Sequence, residues 1–215
     1  MSSETTAPAP RGPGRPKDPR KRAAILTAAH ALLDQAGYEG MTMEGVAEAA
    51  RVSKMTVYSY FRDRDTLFQS LVHERAATLN AALASPESAE LVQDFERTMV
   101  EFGIRFVSLV LDPKVLRVVH ELCVAAPRNP AVALAFYEAG PGQTLSFLSS
   151  VVAAAAQRGT LRVEDPNQAA DDLVSLWLGD QPHRVALGVQ PPLEPAEIEA
   201  RVRHGWRLFL KAYAP

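Results

Sequence analysis

Between residues 20 and 36 the apolar side chains Ile25, Ala29, Leu32, Leu33 and Ala36 recur at steps of three and four. That spacing predicts an amphipathic helix. Gly37, just past the last periodic residue, is placed to close it in a left-handed conformation. Two much shorter runs follow. Val46, Ala47 and Ala50 share one face of a segment that Thr42 can cap, with Glu44 and Glu48 on the other face. Val57 and Phe61 share the inner face of a second segment capped by Ser53, which leaves Lys54, Thr56, Tyr58 and Tyr60 outside. After Asp63, a suitable N-cap, Leu67, Phe68, Leu71, Val72, Ala76, Leu79 and Leu83 mark another amphipathic helix.

Two short helices joined by a tight turn, the second polar and aromatic outside, can present a helix to the major groove of DNA. The tyrosine hydroxyls and Lys54 suit phosphate oxygens, and Thr56 suits a base edge or a thymine methyl. The same pattern also fits a small helical hairpin inside a core, with the tyrosines half buried.

The remaining chain reads as helix after helix. Ser85-Pro86-Glu87 is a turn and a new start, after which Leu91, Phe95, Met99, Phe102, Phe106, Leu109 and Val110 keep helical spacing. Further helices are expected over 114–125, 131–138, 143–158, 167–179 and 195–212, with Gly140-Pro141-Gly142 as an interruption and Gly159 as a C-cap. Alternating β-branched runs are scarce. The expected fold is all-α, with about nine or ten helices.

Residues 20 to 72 resemble the DNA-binding domain of the TetR/AcrR family of bacterial transcriptional regulators. The resemblance is carried by Ile25-Leu26, Ala28-Ala29, Gly37-Tyr38, Met41-Thr42, Val46-Ala47, Val52-Ser53-Lys54, Thr56-Val57-Tyr58, Tyr60-Phe61, Arg64 and Leu67-Phe68. It implies a helix-turn-helix domain over 20–66 and a larger helical effector-binding and dimerisation domain over 67–215. It also implies DNA contacts from Thr42, Ser53, Lys54, Thr56, Tyr58 and Tyr60, and a phosphate contact from Arg64, where the family usually has Lys. Two positions depart from the family pattern. Arg51 stands where the turn commonly has Gly, and a left-handed residue there costs about 1–2 kcal/mol. Met55 stands where a small residue is usual, so base preference does not transfer.

Charge sharpens the picture. Residues 11 to 64 carry ten Lys/Arg against six Asp/Glu, whereas residues 65 to 215 carry thirteen against eighteen. A basic amino end on an acidic remainder suits a protein that meets a polyanion at one end. Residues 1–19 are rich in Pro, Ser, Thr, Gly and Ala and are expected to be a disordered basic arm. Arg15 and Lys17 in that arm suit a minor groove or phosphates. A solubilising tail is the other reading.

A single cysteine, Cys123, excludes an internal disulfide and fits a reducing cytoplasm; an apolar-flanked cysteine of this kind is expected to be a small core residue. No apolar segment long enough to span a membrane is present, and residues 1 to 22 have no signal-peptide core. The chain has no phosphate loop, nucleophile elbow or metal-spaced Cys/His pair, so neither catalysis nor a cofactor or metal is expected. Phe102, Phe106, Phe136, Tyr137, Phe147 and Trp177 can line an apolar cavity or simply fill a core. By family analogy His120 and His183 would be polar anchors in such a cavity. The resemblance further implies pairing through the last two helices, 167–189 and 195–212. Leu173, Leu176, Trp177, Val202, Trp206, Phe209 and Leu210 are its apolar candidates, although a helix this apolar can also pack within its own subunit. The functional expectation is a homodimeric repressor, released from a palindromic DNA operator by a small apolar effector. An architectural DNA-binding protein and a helical lipid or small-molecule binder are the rival classes.

Overall fold

The computed structural model describes residues 18–81 and 91–215. The expectations for the arm with Arg15 and Lys17, for Leu83 and for the turn at 85–87 lie outside the described residues, as does the side chain of Leu91. Eleven helices and no strand occur among the described residues: α1 Pro19–Gly40, α2 Met43–Ala49, α3 Lys54–Tyr60, α4 Arg64–Ala81, α5 Leu91–Val110, α6 Pro113–Ala125, α7 Pro130–Ala139, α8 Pro141–Gln157, α9 Pro166–Leu178, α10 Gln181–Ala186 and α11 Pro195–Tyr213.

Caps set most of the early boundaries. Asp18 accepts the Arg20 N–H at 2.9 Å and Pro19 opens α1, so the last two residues assigned to the arm belong to the helix start. Gly37 breaks α1 with φ 73°, in the left-handed conformation expected of it, and a short turn continues to Gly40. Thr42 accepts the Gly45 N–H at 3.1 Å, and Ser53 accepts the Thr56 N–H at 3.1 Å. The Asp63 carboxylate accepts both the N–H and the hydroxyl of Thr66, at 2.8 and 2.7 Å. Gly159 takes φ 74°, again as its position after the periodic run required. Two boundaries differ from the sequence reading. Pro141 opens α8 directly after α7, because its fixed φ suits a first helical turn. The run 167–189 is split at Gly179, whose φ of 49° ends α9 and lets the six-residue α10 begin.

Two apolar cores divide the molecule. The first joins Ile25, Leu26 and Leu33 of α1 and Val46 of α2 to Val57 of α3, Phe61 and the front of α4 at Leu67, Phe68 and Leu71, and it extends to Val118 and Leu122 of α6 and Val132 of α7. The second is built from α5, α8, α9 and α11, with Leu79 near the far end of α4. Helix α4 therefore spans both cores. The second core centres on Trp177, fully buried between glycines of two neighbouring helices. A Cβ on Gly103 of α5 would sit 2.9 Å from the indole, and one on Gly205 of α11 also 2.9 Å from it. Mid-helix glycine costs roughly 0.5–1 kcal/mol relative to alanine, and the room needed by this indole accounts for its use here.

The helix-turn-helix turn is left-handed at Arg51, φ 55°. A residue with a side chain takes this conformation, so strain of about 1–2 kcal/mol is stored at an exposed position. Arg51→Gly is expected to raise unfolding stability by about 0.5–1 kcal/mol once the greater freedom of unfolded glycine is allowed for; a lower urea midpoint would contradict this. The Thr66 hydroxyl and N–H, with Arg62, pull the Asp63 carboxyl down from its usual 3.8 to about 2. Its contribution is full above pH 4 or so and disappears as pH falls through the folded value. Asp63→Ala should cost about 1 kcal/mol near neutrality, and urea titrations should show the gap to wild type closing between about pH 4 and pH 2. A gap independent of pH would contradict the ionised cap.

Candidate nucleic-acid interface and effector core

A seven-residue helix cannot hold itself together in water, because nucleation is costly and only a few hydrogen bonds are gained. Helix α3 is held by what lies beneath it. Val57 is fully buried and Phe61, just past its end, is 3% exposed. The Arg22 guanidinium sits 5.7 Å from the centre of the Phe61 ring. The opposite side of α3 faces solvent: Ser53, Lys54, Met55, Tyr58 and Ser59 are exposed, and Thr56 and Tyr60 half-buried. Tyr58 and Tyr60 are therefore not sealed in the interior, which removes the reading of α2 and α3 as a hairpin inside a core.

The outward polar groups are mostly engaged with one another. Lys54 is ion-paired with Glu44 of α2, and its ammonium lies 5.8 Å from the centre of the Tyr58 ring. That hydrogen bond pulls the Glu44 carboxyl below its ordinary range and pushes the Lys54 ammonium up. The Ser53 and Thr56 hydroxyls share a 2.8 Å hydrogen bond. The Tyr60 hydroxyl donates to the Asp18 carbonyl at 2.9 Å, so it ties the recognition helix to the start of α1, where the arm leaves the fold. Thr42 is exposed at the start of α2. Arg64 is held in the fold: it donates to the Glu39 carboxylate at 3.2 Å and lies 4.2 Å from the centre of the Tyr38 ring.

The head is joined to the helical body at Tyr38. Its N–H donates to the Glu121 carboxylate of α6 at 2.7 Å and its hydroxyl to Asp65 of α4 at 2.5 Å. Burial, and then the bond to Asp65, push the Tyr38 hydroxyl up to about 12. The Glu121 carboxylate fills the space a side chain on Gly37 would need; a Cβ there would lie 2.7 Å from the carboxyl carbon. Asp34 adds a second grip, accepting Arg75 of α4 and Lys114 of α6 through its carboxylate, each at 3.3 Å, and Arg117 through its carbonyl at 2.6 Å. Sequence periodicity gave no signal for this joint, because Glu121 lies 83 residues from Tyr38.

The aromatic residues nominated for an effector cavity divide into three groups. Phe102, Phe106 and Trp177 come together, with Trp177 centred 6.2 and 6.3 Å from the two phenyl rings, and Phe147 packs against the same core. Phe136 instead stacks on Phe68 at 6.0 Å, in the core of the head. Tyr137 is 53% exposed, and His120 and His183 are exposed, His183 paired with Asp180 at 3.6 Å. These three are polar or amphipathic and lie on outward helix faces, so they are not anchors of an interior cavity here. The indole N–H groups of Trp177 and Trp206 are buried without a hydrogen-bond partner. Two surface grooves of about 320 and 390 Å³ meet at His30 and Glu74, between α1, α4 and α5, and involve none of the aromatic set.

The expected dimer residues also move. Leu173, Val202 and Phe209 are fully buried in the subunit's own core and Trp206 is 1% exposed, while Leu176 and Leu210 are half-buried. Their apolar periodicity reports burial, and the partner is the same chain. Cys123, expected in the core, is exposed on α6. Among the described residues no group of three or more His, Cys, Asp or Glu is arranged to hold a metal, and no helix is long and apolar enough to cross a membrane.

Comparison with known proteins agrees with this architecture. Residues 25–71 match the family described as bacterial regulatory proteins, tetR family, and residues 97–215 match the AefR-like transcriptional repressor, C-terminal domain. The uncharacterized HTH-type transcriptional regulator YdeS of Bacillus subtilis is 33% identical over 81 residues, 38% of this chain and 39% of that protein. The HTH-type transcriptional regulator EthR of Mycolicibacterium smegmatis is 23% identical, over 95% of this chain and 93% of its own length. A putative TetR-family transcriptional regulator from Mesorhizobium loti has a similar structure, with a TM-score of 0.75 and 28% identity, covering 91% of this chain and 98% of its own. The flavonoid-responsive regulator FrrA has a TM-score of 0.70 and 30% identity, with the same coverage of both chains. A head that exposes a short reading helix, followed by an AefR-like body matched over more than half of the chain, places this protein in the TetR family as a DNA-binding transcriptional regulator.

Proposed function

We propose that the protein is a homodimeric repressor that occupies a palindromic operator and is released by a planar aromatic effector. The observation that carries the first half is the exposed α3 on a buried seat. A single helix-turn-helix reads few base pairs, and two heads about 34–36 Å apart, or a multiple of that, read two half-sites. Thr42, Ser53, Lys54, Thr56 and Tyr58 make the contacts at each half-site. Lys54 exchanges Glu44 for phosphate on binding. Tyr60 and Arg64 act largely from within the head, through Asp18 and Glu39 respectively. Pairing runs along the outer face of α11, where Ala200, His204, Leu208 and Ala212 are exposed at four-residue steps; a twofold contact lays this face on its own copy.

The effector enters beside Phe102, Phe106, Phe147 and Trp177. A buried donor left without an acceptor costs about 1–3 kcal/mol, so a ligand oxygen at the Trp177 N–H recovers energy that the packed core forgoes. A planar ring system with a carbonyl or phenol oxygen meets both requirements, and the flavonoid-responsive name of FrrA, 30% identical to this chain, supports that class. Helix α4 touches both cores, so repacking around Trp177 reaches the head through Leu79 at one end and Phe68 at the other. A full swing from 1:99 to 99:1 between narrow and wide head spacing needs about 5.5 kcal/mol of differential binding.

Two measurements test this reading. A set of flavonoids titrated by tryptophan fluorescence should contain one that quenches emission and dissociates an operator obtained by selection. Trp177→Phe should bind it about fivefold more weakly, the factor for one neutral hydrogen bond of ~1 kcal/mol. Equal affinities would remove Trp177 from the site. Deleting residues 1–17 should lower the slope of log K against log salt by about 0.9 for each of Arg15 and Lys17 that meets a phosphate. An unchanged slope would rule out a phosphate-binding arm.

A further inference from the structure

The reading helix carries a large apolar side chain in solvent. Met55 is the second residue of α3 and is 79% exposed, the highest exposure among the large apolar side chains described. Four of its polar neighbours already have partners within the head. Lys54 is paired with Glu44, Thr56 shares its hydroxyl with Ser53, Ser59 donates to the Thr56 carbonyl, and Tyr60 donates to the Asp18 carbonyl. Each of these groups meets a base edge only with the hydrogen-bonding capacity left over from a bond it already makes. Met55 carries no such constraint, and every apolar contact it makes on DNA removes its surface from water.

The identity of the partner follows from what a major groove displays. Its edges carry acceptors N7, O6 and O4 and amino donors, and its one apolar group is the C5-methyl of thymine. A methionine is unbranched and polarizable, so it can follow an irregular surface. The opening residues of a recognition helix are the ones that meet base edges. We propose that Met55 is the specificity-determining residue of this head, laying its thioether against a thymine C5-methyl in each half-site. The inference rests on the DNA-binding reading and deepens it: direct readout here is apolar, and the polar groups around it position the helix. It also gives a role to a residue that departs from the small side chain usual at this position.

The test uses the full chain. A duplex is enriched from a random library, then resynthesised with deoxyuridine replacing thymine one position at a time, which deletes only the methyl group. Wild type should show one thymine per half-site whose replacement weakens binding about fourfold, the factor for one buried methyl group, and about sixteenfold when both half-sites are changed. Met55→Ala should bind the parent duplex more weakly and be indifferent to that replacement. Met55→Leu should keep most of the discrimination. Circular dichroism of both variants checks the fold, which an exposed residue is not expected to disturb. The proposal is overturned if no thymine methyl matters to wild type, or if Met55→Ala is as sensitive as wild type. Enrichment of no duplex at all would instead overturn the DNA-binding reading itself, and this inference with it.

Discussion

The hydrogen bond from the Tyr38 N–H to the Glu121 carboxylate is the contact on which the two halves of this protein depend. It is 2.7 Å long and reaches from the break in α1 to the middle of α6. Gly37 has to lack a side chain for the carboxylate to fit, and its left-handed φ of 73° turns the chain toward α2. The ring of Tyr38 then carries the contact onward. It lies edge-on to Phe68 at 4.9 Å, and Phe68 stacks on Phe136 of α7. Three helices thus meet at Tyr38 and a fourth, α7, is reached through Phe68, so the body grips the head at the point where α1 ends. A hydrogen bond to a charged acceptor contributes about 1.5–3 kcal/mol. The surrounding pairs to Asp34 are more exposed and individually worth less, but they fix the same two helices against each other.

This joint explains why so short a reading helix can be precise in position. Helix α3 gains nothing from its own length. Its orientation comes from Val57 and Phe61 below and from the Ser53 cap, and Tyr60 ties it to the start of α1. Helix α1 in turn is fixed at its other end by Glu121. Repacking in the body has two mechanical routes to the head: along α4, which belongs to both cores, and through α6. The body has a stressed element of its own in Trp177, a large indole wedged between Gly103 and Gly205 with its N–H unpartnered.

Local signals made the head legible. The caps at Thr42, Ser53 and Asp63 and the turn at Gly37 are each decided within four residues of chain, so propensity and spacing suffice to place them. The inward pair Val57 and Phe61 follows from helical geometry in the same way. What depends on distant chain was not readable. Apolar spacing marks Leu173, Val202, Trp206 and Phe209 as buried but cannot say whether the covering surface is the same subunit or another. Family analogy makes His120 and His183 polar anchors of a cavity, yet an exposed helix face serves a histidine equally well. Arg51 shows that a left-handed turn can form without the glycine that makes it easy. Met55 was visible only as a departure, and its meaning required knowing how far it is exposed and that several polar groups beside it already have partners.

The most direct test of the joint is the operator affinity of Glu121→Ala in the full-length chain, measured beside its helix content and oligomeric state. Losing the carboxylate leaves the Tyr38 N–H without its acceptor and loosens the end of α1 from α6, while Asp34 keeps Lys114 and Arg117 and the seat of α3 at Val57 and Phe61 is untouched. The account predicts unchanged helicity and assembly with operator binding weakened about tenfold, equivalent to ~1.4 kcal/mol. Wild-type affinity in that variant would show that the head is positioned without the contact, and would contradict the account.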